Sequence, residues 1–398
     1  MKPSSEKAKS ASKVSSRGSL EGRVPSLRFP GFEGEWETAR IGELYSERSQ
    51  RCTKPMELLS VTISDGVVPR SNIESKDNSS EDKSNYKVVH VGDMVYNTMR
   101  MWQGACGVSS FRGIVSPAYT ILKEVMRFDR KFMASLFKTK RLINDFRKNS
   151  QGLTSDTWNL KYPQIAIIKV SLPDIEEQQQ IATFLSLLDS RIAAQRKLVE
   201  LLKKQKRGLL KEIFERSAEG EYKSFCEIAI RRSEKVAPTK DSELDCIELE
   251  HIEPDTGLLL GRVQLRKQDS LKNLCKPNDI VFGKLRPYLR KFLFAKTECA
   301  VSSETWVLTV VDGILPRFLF YLIQSGPFMQ AANVSSGTKM PRSEWSNVAN
   351  AKFHIPNAGR QLAIANCLSE VDTRIHQTQR VISAMEVYKR GLLQALFV

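Results

Sequence analysis

The chain has 398 residues, 41% of them hydrophobic and 27% charged, with a formal net charge of +16. That length asks for two or three domains, and a basic excess of this size favours a polyanionic partner, because clustered Lys and Arg gain affinity by releasing counterions from phosphates. No apolar run approaches the roughly 20 residues of a membrane-spanning helix, and seven cysteines without a CxxC pair argue against a disulfide framework or a zinc site, so a reducing cytoplasm without membrane attachment is expected.

In chain order, residues 1–27 are rich in Ser, Lys, Arg and Gly, lack an apolar signal-peptide core, and read as a disordered basic tail. Residues 28–171 alternate short β-branched and aromatic runs with helical ones such as 132–146, the pattern of a mixed α/β domain. Residues 172–216 read as one long helix. Residues 217–354 form a second mixed α/β domain with a helical run at 318–332, and residues 355–398 a second long helix.

The two helices are copies. Residues 172–214 align without a gap to residues 355–397, pairing Pro173 with Pro356, Gln178 with Gln361, Ile181 with Ile364, Leu185 with Leu368 and Asp189 with Asp372. Both close on the same run, Lys206, Arg207, Gly208, Leu209, Leu210 and Lys389, Arg390, Gly391, Leu392, Leu393. Apolar residues recur at alternating spacings of three and four, through Ile181, Leu185, Leu188 and Ile192 in the first copy and Ile364, Leu368, Val371 and Ile375 in the second. That is a coiled-coil seam, and the nearest complement to each stripe is the other copy. A parallel pair in register would oppose Lys206 to Lys389 in a desolvated seam, which is repulsive. An antiparallel pair is expected instead, with each lysine stem packed on an apolar residue and its head snorkelling to solvent.

The domains repeat more weakly. Arg48 and Arg51 match Arg232 and Lys235; residues 93–100 match 279–286; residues 115–122 match 301–308; and residues 151–154 match 336–339 one residue out of step. The expected fold class is therefore α+β: two tandem mixed α/β domains, each followed by a long helix, the helices forming an antiparallel coiled coil with pseudo-twofold symmetry.

These residues resemble a known family. Leu27, Arg28, Phe29, Pro30, Gly31 and Phe32, then Gly34, Glu35 and Trp36, are similar to the start of the specificity (S) subunit of type I restriction-modification systems. So are both copies of Pro-x4-Gln-x2-Ile-Ala-x2-Leu, the Asp-x-Arg-Ile after each, the closing Lys-Arg-Gly-Leu-Leu, and Lys284, Leu285, Arg286, Pro287, Tyr288, Leu289 in the second domain. The resemblance spans residues 27–398. It implies two target-recognition domains reading the halves of a split double-stranded DNA site, spaced by the helices. It also implies partners: two methyltransferase (M) subunits binding S-adenosylmethionine, and restriction (R) motor-nuclease subunits using ATP and magnesium, with no cofactor on this chain. A rival within the same resemblance is a decoy or orphan scaffold that holds methyltransferase subunits without reading DNA, and charge alone would also fit an RNA-binding protein.

No catalytic constellation is legible. An Asn/Asp-Pro-Pro-aromatic motif is missing, Gly337, Thr338 and Lys339 lack the first half of a P-loop, and the four histidines have no metal-ligand spacing. Asp65 with Glu74 and Lys76 only loosely matches a metal-dependent nuclease. Arg, Lys, Asn and Gln read base edges while other basic and polar groups fix phosphates, so DNA-binding candidates are sought where the repeat places similar residues. One set is Arg48, Arg51, Arg232 and Lys235. A second is Arg100, Trp102 and Gln103, paralleled by Lys284, Arg286, Tyr288, Arg290 and Lys291. A third is Gln151, Thr154 and Ser155, paralleled by Thr338, Lys339 and Arg342. Base readers are expected where the copies differ, as at residues 101–103 against 287–289.

Overall fold

The computed structural model describes residues 24–73, 79–154, 157–216, 220–336 and 340–398. Most of the expected tail, and Glu74 and Lys76 of the nuclease-like set, lie outside the described residues. Two units result: one takes the chain up to Arg191 together with Met385–Val398, the other Ile192–Ala384. Each long helix thus contributes one part to each unit.

In the first unit a four-stranded antiparallel sheet runs in the order Tyr45–Glu47, Tyr119–Glu124, Met94–Asn97, Cys106–Val108. The second unit repeats that order with Ala229–Arg231, Thr305–Val310, Ile280–Gly283 and Phe292–Phe294. A five-stranded sheet lies beside it in the same unit, with one parallel pair joining Asp245–Ile247 to Cys299–Val301. The helical run expected at 132–146 is two helices, Arg130–Leu136 and Lys140–Asn149, because Thr139 caps the second with its hydroxyl. The run at 318–332 divides in the same way into Pro316–Leu322 and Gly326–Asn333, where Ser325 caps and Pro327 sits in the first turn.

The long helices are Ile175–Lys211 and Ala358–Ala395, each about 55 Å at 1.5 Å per residue. Asp174 and Asn357 cap them, accepting from the Glu177 and Arg360 N–H groups at 2.8 and 2.9 Å. The repeated glutamine fastens each helix to its own domain. Gln178 donates to the Pro173 carbonyl and accepts from the Asp129 N–H, both at 2.9 Å. Gln361 donates to the Pro356 carbonyl and accepts from the Leu315 N–H at the same distances. Asp129 and Leu315 are the N-cap residues of Arg130–Leu136 and Pro316–Leu322.

Within each unit the helices meet antiparallel. In the first, Ile181, Ala182 and Leu185 share a core with Leu392, Leu396 and Phe397, and Phe397 lies against Trp36 and Phe132 with ring centroids 6.3 and 5.0 Å apart. In the second, Val199 and Leu202 pack on Val371 and Ile375, while Leu210 joins Ile364 and Leu368 in the domain core. The expectation that Lys206 snorkels to solvent is corrected here. Lys206 is buried and its ammonium lies 2.7 Å from Asp372, and Lys389 reaches Asp189. Each lysine of one copy answers the aspartate of the other, since a buried ammonium without a counter-charge would be far costlier.

The two pairs differ in burial. The Lys206 and Asp372 side chains are 5% and 10% exposed, those of Lys389 and Asp189 26% and 54%. The Asp372 carboxylate also accepts from the Tyr321 hydroxyl at 3.0 Å, and burial pushes the Lys206 pKa below its ordinary value against the pull of Asp372. Lys206→Met should therefore cost about 3–5 kcal/mol by stranding Asp372, and Lys389→Met less than about 1 kcal/mol. Urea denaturation of the full chain measures both, and equal losses would contradict the unequal burial.

Candidate nucleic-acid interface

Both domains build the same constellation at one end of the four-stranded sheet. In the first, strand Met94–Asn97 runs into a 3-10 turn at Met101–Gln103. Thr98 hydrogen-bonds Ala118 through its hydroxyl at 2.8 Å, and its carbonyl accepts the Leu160 N–H at 2.9 Å. Asn159, and Gln151 paired with it, are thereby held beside the turn. Trp102 donates from Nε1 to the Met99 carbonyl at 3.0 Å and meets Trp158 edge-on, centroids 5.2 Å apart. Gln151 and Asn159 exchange backbone hydrogen bonds of 3.0 and 2.8 Å, and Thr154 accepts from the Thr157 N–H at 3.0 Å. Arg100, Gln103, Gln151 and Thr154 are exposed; Ser155 lies outside the described residues.

In the second domain, strand Ile280–Gly283 leads to a turn at Pro287–Leu289. Arg286 and Arg290 flank it in the left-handed region, at φ 52° and 51°, a conformation that costs an L side chain roughly 1–2 kcal/mol. Arg286 donates its N–H to the Pro341 carbonyl at 2.8 Å, and Ser343 donates to Lys284 at 2.9 Å. The second and third candidate sets therefore meet in this domain too, although Thr338 and Lys339 lie outside the described residues. Arg286 and Tyr288 project into solvent.

Several candidate cations are engaged within the protein. Arg48 grips Asp93 through Nε and Nη2 at 2.8 and 3.1 Å, and Arg232 grips Asp279 at the same two distances. Both aspartates also accept a backbone N–H, from His90 and Lys276, and both are nearly fully buried. They start the strands whose other ends carry the turns, so Arg48 and Arg232 sit away from Arg100 and Arg286. The structure gives these two arginines a role in the fold, because a guanidinium committed to a buried carboxylate has little left for a phosphate. Arg290 is held by Asp255 and by the Gln324 carbonyl, and Lys291 by the Leu249 carbonyl at 2.6 Å. Arg342 is bidentate to Glu304, whose carboxyl it holds below the usual value; Lys284 lies in the field of the same carboxylate.

Arg51 and Lys235 occupy corresponding places beside the four-stranded sheets. Arg51 bridges Lys87, whose ammonium donates to the Tyr119 carbonyl at 2.8 Å, opposite Asn97. Lys235 pairs with Asn273, whose amide donates to the Thr305 carbonyl at 3.0 Å, opposite Gly283. Arg51 and Lys235 are thus exposed cations at corresponding places beside the sheet of each domain, and Arg100 with Gln103, and Arg286 with Tyr288, are the exposed residues of the turns themselves. Sequence reasoning missed Leu153, fully exposed beside Gly152 at the loop tip. An isolated Leu between Gly152 and Thr154, outside any periodic run, was the available signal. Among the described residues no cluster of His, Cys, Asp and Glu forms a metal site, and no helix is long and apolar enough to cross a membrane.

The chain is similar to known proteins. Residues 33–204 match the model of the Type I restriction modification DNA specificity domain. The Type I restriction enzyme MjaVIII specificity subunit of Methanocaldococcus jannaschii is 23% identical, over 93% of each chain. The HindI specificity subunit of Haemophilus influenzae is 26% identical over 32% of this chain and 29% of its own. Among solved structures, the type I restriction-modification S subunit from M. genitalium superposes with a TM-score of 0.55 at 13% identity, covering 94% of this chain and 99% of its own. A chain from a study of type I system assembly and conformational transition gives 0.54 at 15% identity, covering 94% and 98%.

The division between exposed and engaged arginines is measurable. With a random-sequence DNA duplex as probe, Arg286→Ala in the full chain should weaken binding and lower the salt slope by about 0.9. Arg232→Gln should leave that slope unchanged and instead cost about 3 kcal/mol of stability by stranding Asp279. A slope change for Arg232→Gln equal to that for Arg286→Ala would contradict this division.

Proposed function

We propose that this chain, which is similar to the specificity subunits of type I restriction-modification systems, reads a split double-stranded DNA target, one half with each domain. The observation that carries this reading is that the same four-stranded sheet recurs in both domains and in each leads from its third strand into a short turn entered by an exposed arginine, Arg100 in the first and Arg286 in the second. Like scaffolds with unlike tips suit two different half-sites: Met101, Trp102 and Gln103 stand where the other copy has Pro287, Tyr288 and Leu289.

In this reading Arg51, Arg100, Lys235 and Arg286 hold phosphates, and Gln103 and Tyr288 approach base edges. The long helices separate the half-sites and carry two methyltransferase subunits, on which restriction subunits assemble. S-adenosylmethionine, ATP and magnesium belong to those partners; this chain supplies address rather than catalysis, in the cytoplasm where the host DNA lies.

Mapping modified adenines across the native host genome, with and without the gene, tests the proposal. The expected result is a bipartite motif whose modification disappears on deletion. A methylation pattern indifferent to the gene would leave a scaffold that binds methyltransferase subunits without directing them.

A further inference from the structure

We propose that in the second domain the second long helix sets the DNA-reading turn through a side-chain relay, making Gln379, Glu253, Asp255 and Arg290 positioning residues for Arg286 and Tyr288. The inference rests on the specificity reading above and deepens it. Gln379, on the helix, donates from Nε2 to both carboxylate oxygens of Glu253 at 3.0 Å. The buried Thr256 hydroxyl holds the same carboxylate at 2.5 Å. Two residues after Glu253, Asp255 accepts from Arg290 Nε and returns its own N–H to the Arg290 carbonyl at 3.1 Å. Arg290 then closes the turn, donating its N–H to the Pro287 carbonyl at 2.8 Å and its Nη2 to the Gln324 carbonyl at 2.7 Å. A second route runs alongside: Asp255 and Arg290 face Lys206, Arg207 and Ile375 of the long helices around a small cavity.

Making the turn does not by itself require this relay. The first domain places Gly104, φ 83°, where the second has Arg290, φ 51°. Glycine adopts that conformation without strain and offers no side chain. In the first domain Trp102 rests on Trp158, and Gly104 lies against Ile143. In the second domain both ends of the Asp255–Arg290 contact are left-handed, Asp255 at φ 62°. Strain of this kind persists only where the surroundings over-determine it, and here they tie the turn to the helix that flanks it.

Arg290→Gly keeps the backbone conformation and removes the link. In the native host carrying this allele, the modified-adenine motif should keep one half intact while the other accepts further bases, with discrimination falling about tenfold. Glu253→Ala should relax the same half, and Glu253→Gln, which preserves an acceptor for Gln379, should restore it. Hydrogen exchange on the purified full chain supplies a readout independent of DNA: the Leu289 and Arg290 amides should exchange faster in Arg290→Gly, with the first domain unchanged. Unchanged exchange at the turn, an intact motif in both halves, or equal loss of both halves would each overturn the relay. A wild-type allele that yields no bipartite motif would instead overturn the specificity reading, and the exchange comparison would then decide alone whether the relay holds the turn.

Discussion

Each of the two long helices carries an apolar stripe too long to leave in water, and the partner available to each is the other copy run in the opposite direction. That constraint organises the chain. It sends the end of the second helix into the first domain's core, where Leu392, Leu396 and Phe397 join Trp36 and Phe132. It sends the end of the first helix, Leu210, into the second domain's core with Phe225 and Phe318. It also brings each repeated lysine to the aspartate of the opposite copy, so the polar interruptions of the stripe become its register marks. The repeated glutamine completes the arrangement by fastening each long helix's start to an N-cap residue of its own domain, Asp129 or Leu315.

A duplicated chain need not use its duplicated parts alike. In the second unit the lysine–aspartate contact is buried and shares its carboxylate with Tyr321, and the cationic head lies within 6 Å of the Phe292 and Tyr321 rings. In the first unit the equivalent contact is open to solvent, where screening reduces it to a small contribution. The turns diverge as well, one closed by a glycine and the other by an arginine held on an aspartate. The second copy makes the more buried contact with its helices on the same framework.

Much of the fold was legible because it rests on periodicity and duplication. The heptad-like spacing of Ile181, Leu185, Leu188 and Ile192 marks a helix, and the opposed lysines exclude the parallel pairing. What escaped depends on contacts distant in the chain. Nothing near Lys206 announces Asp372, and Arg48 and Arg232 look like DNA ligands until Asp93 and Asp279 are seen beneath them. The matching of those arginines between copies reflected a shared fold requirement. The breaks at Thr139 and Ser325 were legible in principle as caps, but the apolar runs spanning them masked the signal. Of the candidate interface, the turns and loops were found by the match between copies, and only the base readers were sought where the copies differ; the relay from Gln379 to Arg290 joins segments with no common motif.

The participation of Leu392, Leu396 and Phe397 in the first domain's core has a consequence for the order in which the chain matures. A domain that could close on itself would fold as soon as it left the ribosome. Here the first domain emerges with its core unfilled and the second is synthesised before the missing side chains exist, as the hydrogen bond from Leu27 to the Ala395 carbonyl makes concrete. Closure over such a sequence separation is slow. Until then Trp36, Phe132 and the apolar stripe of the first helix stand exposed, a surface that chaperones can shield and that an interrupted translation product would retain.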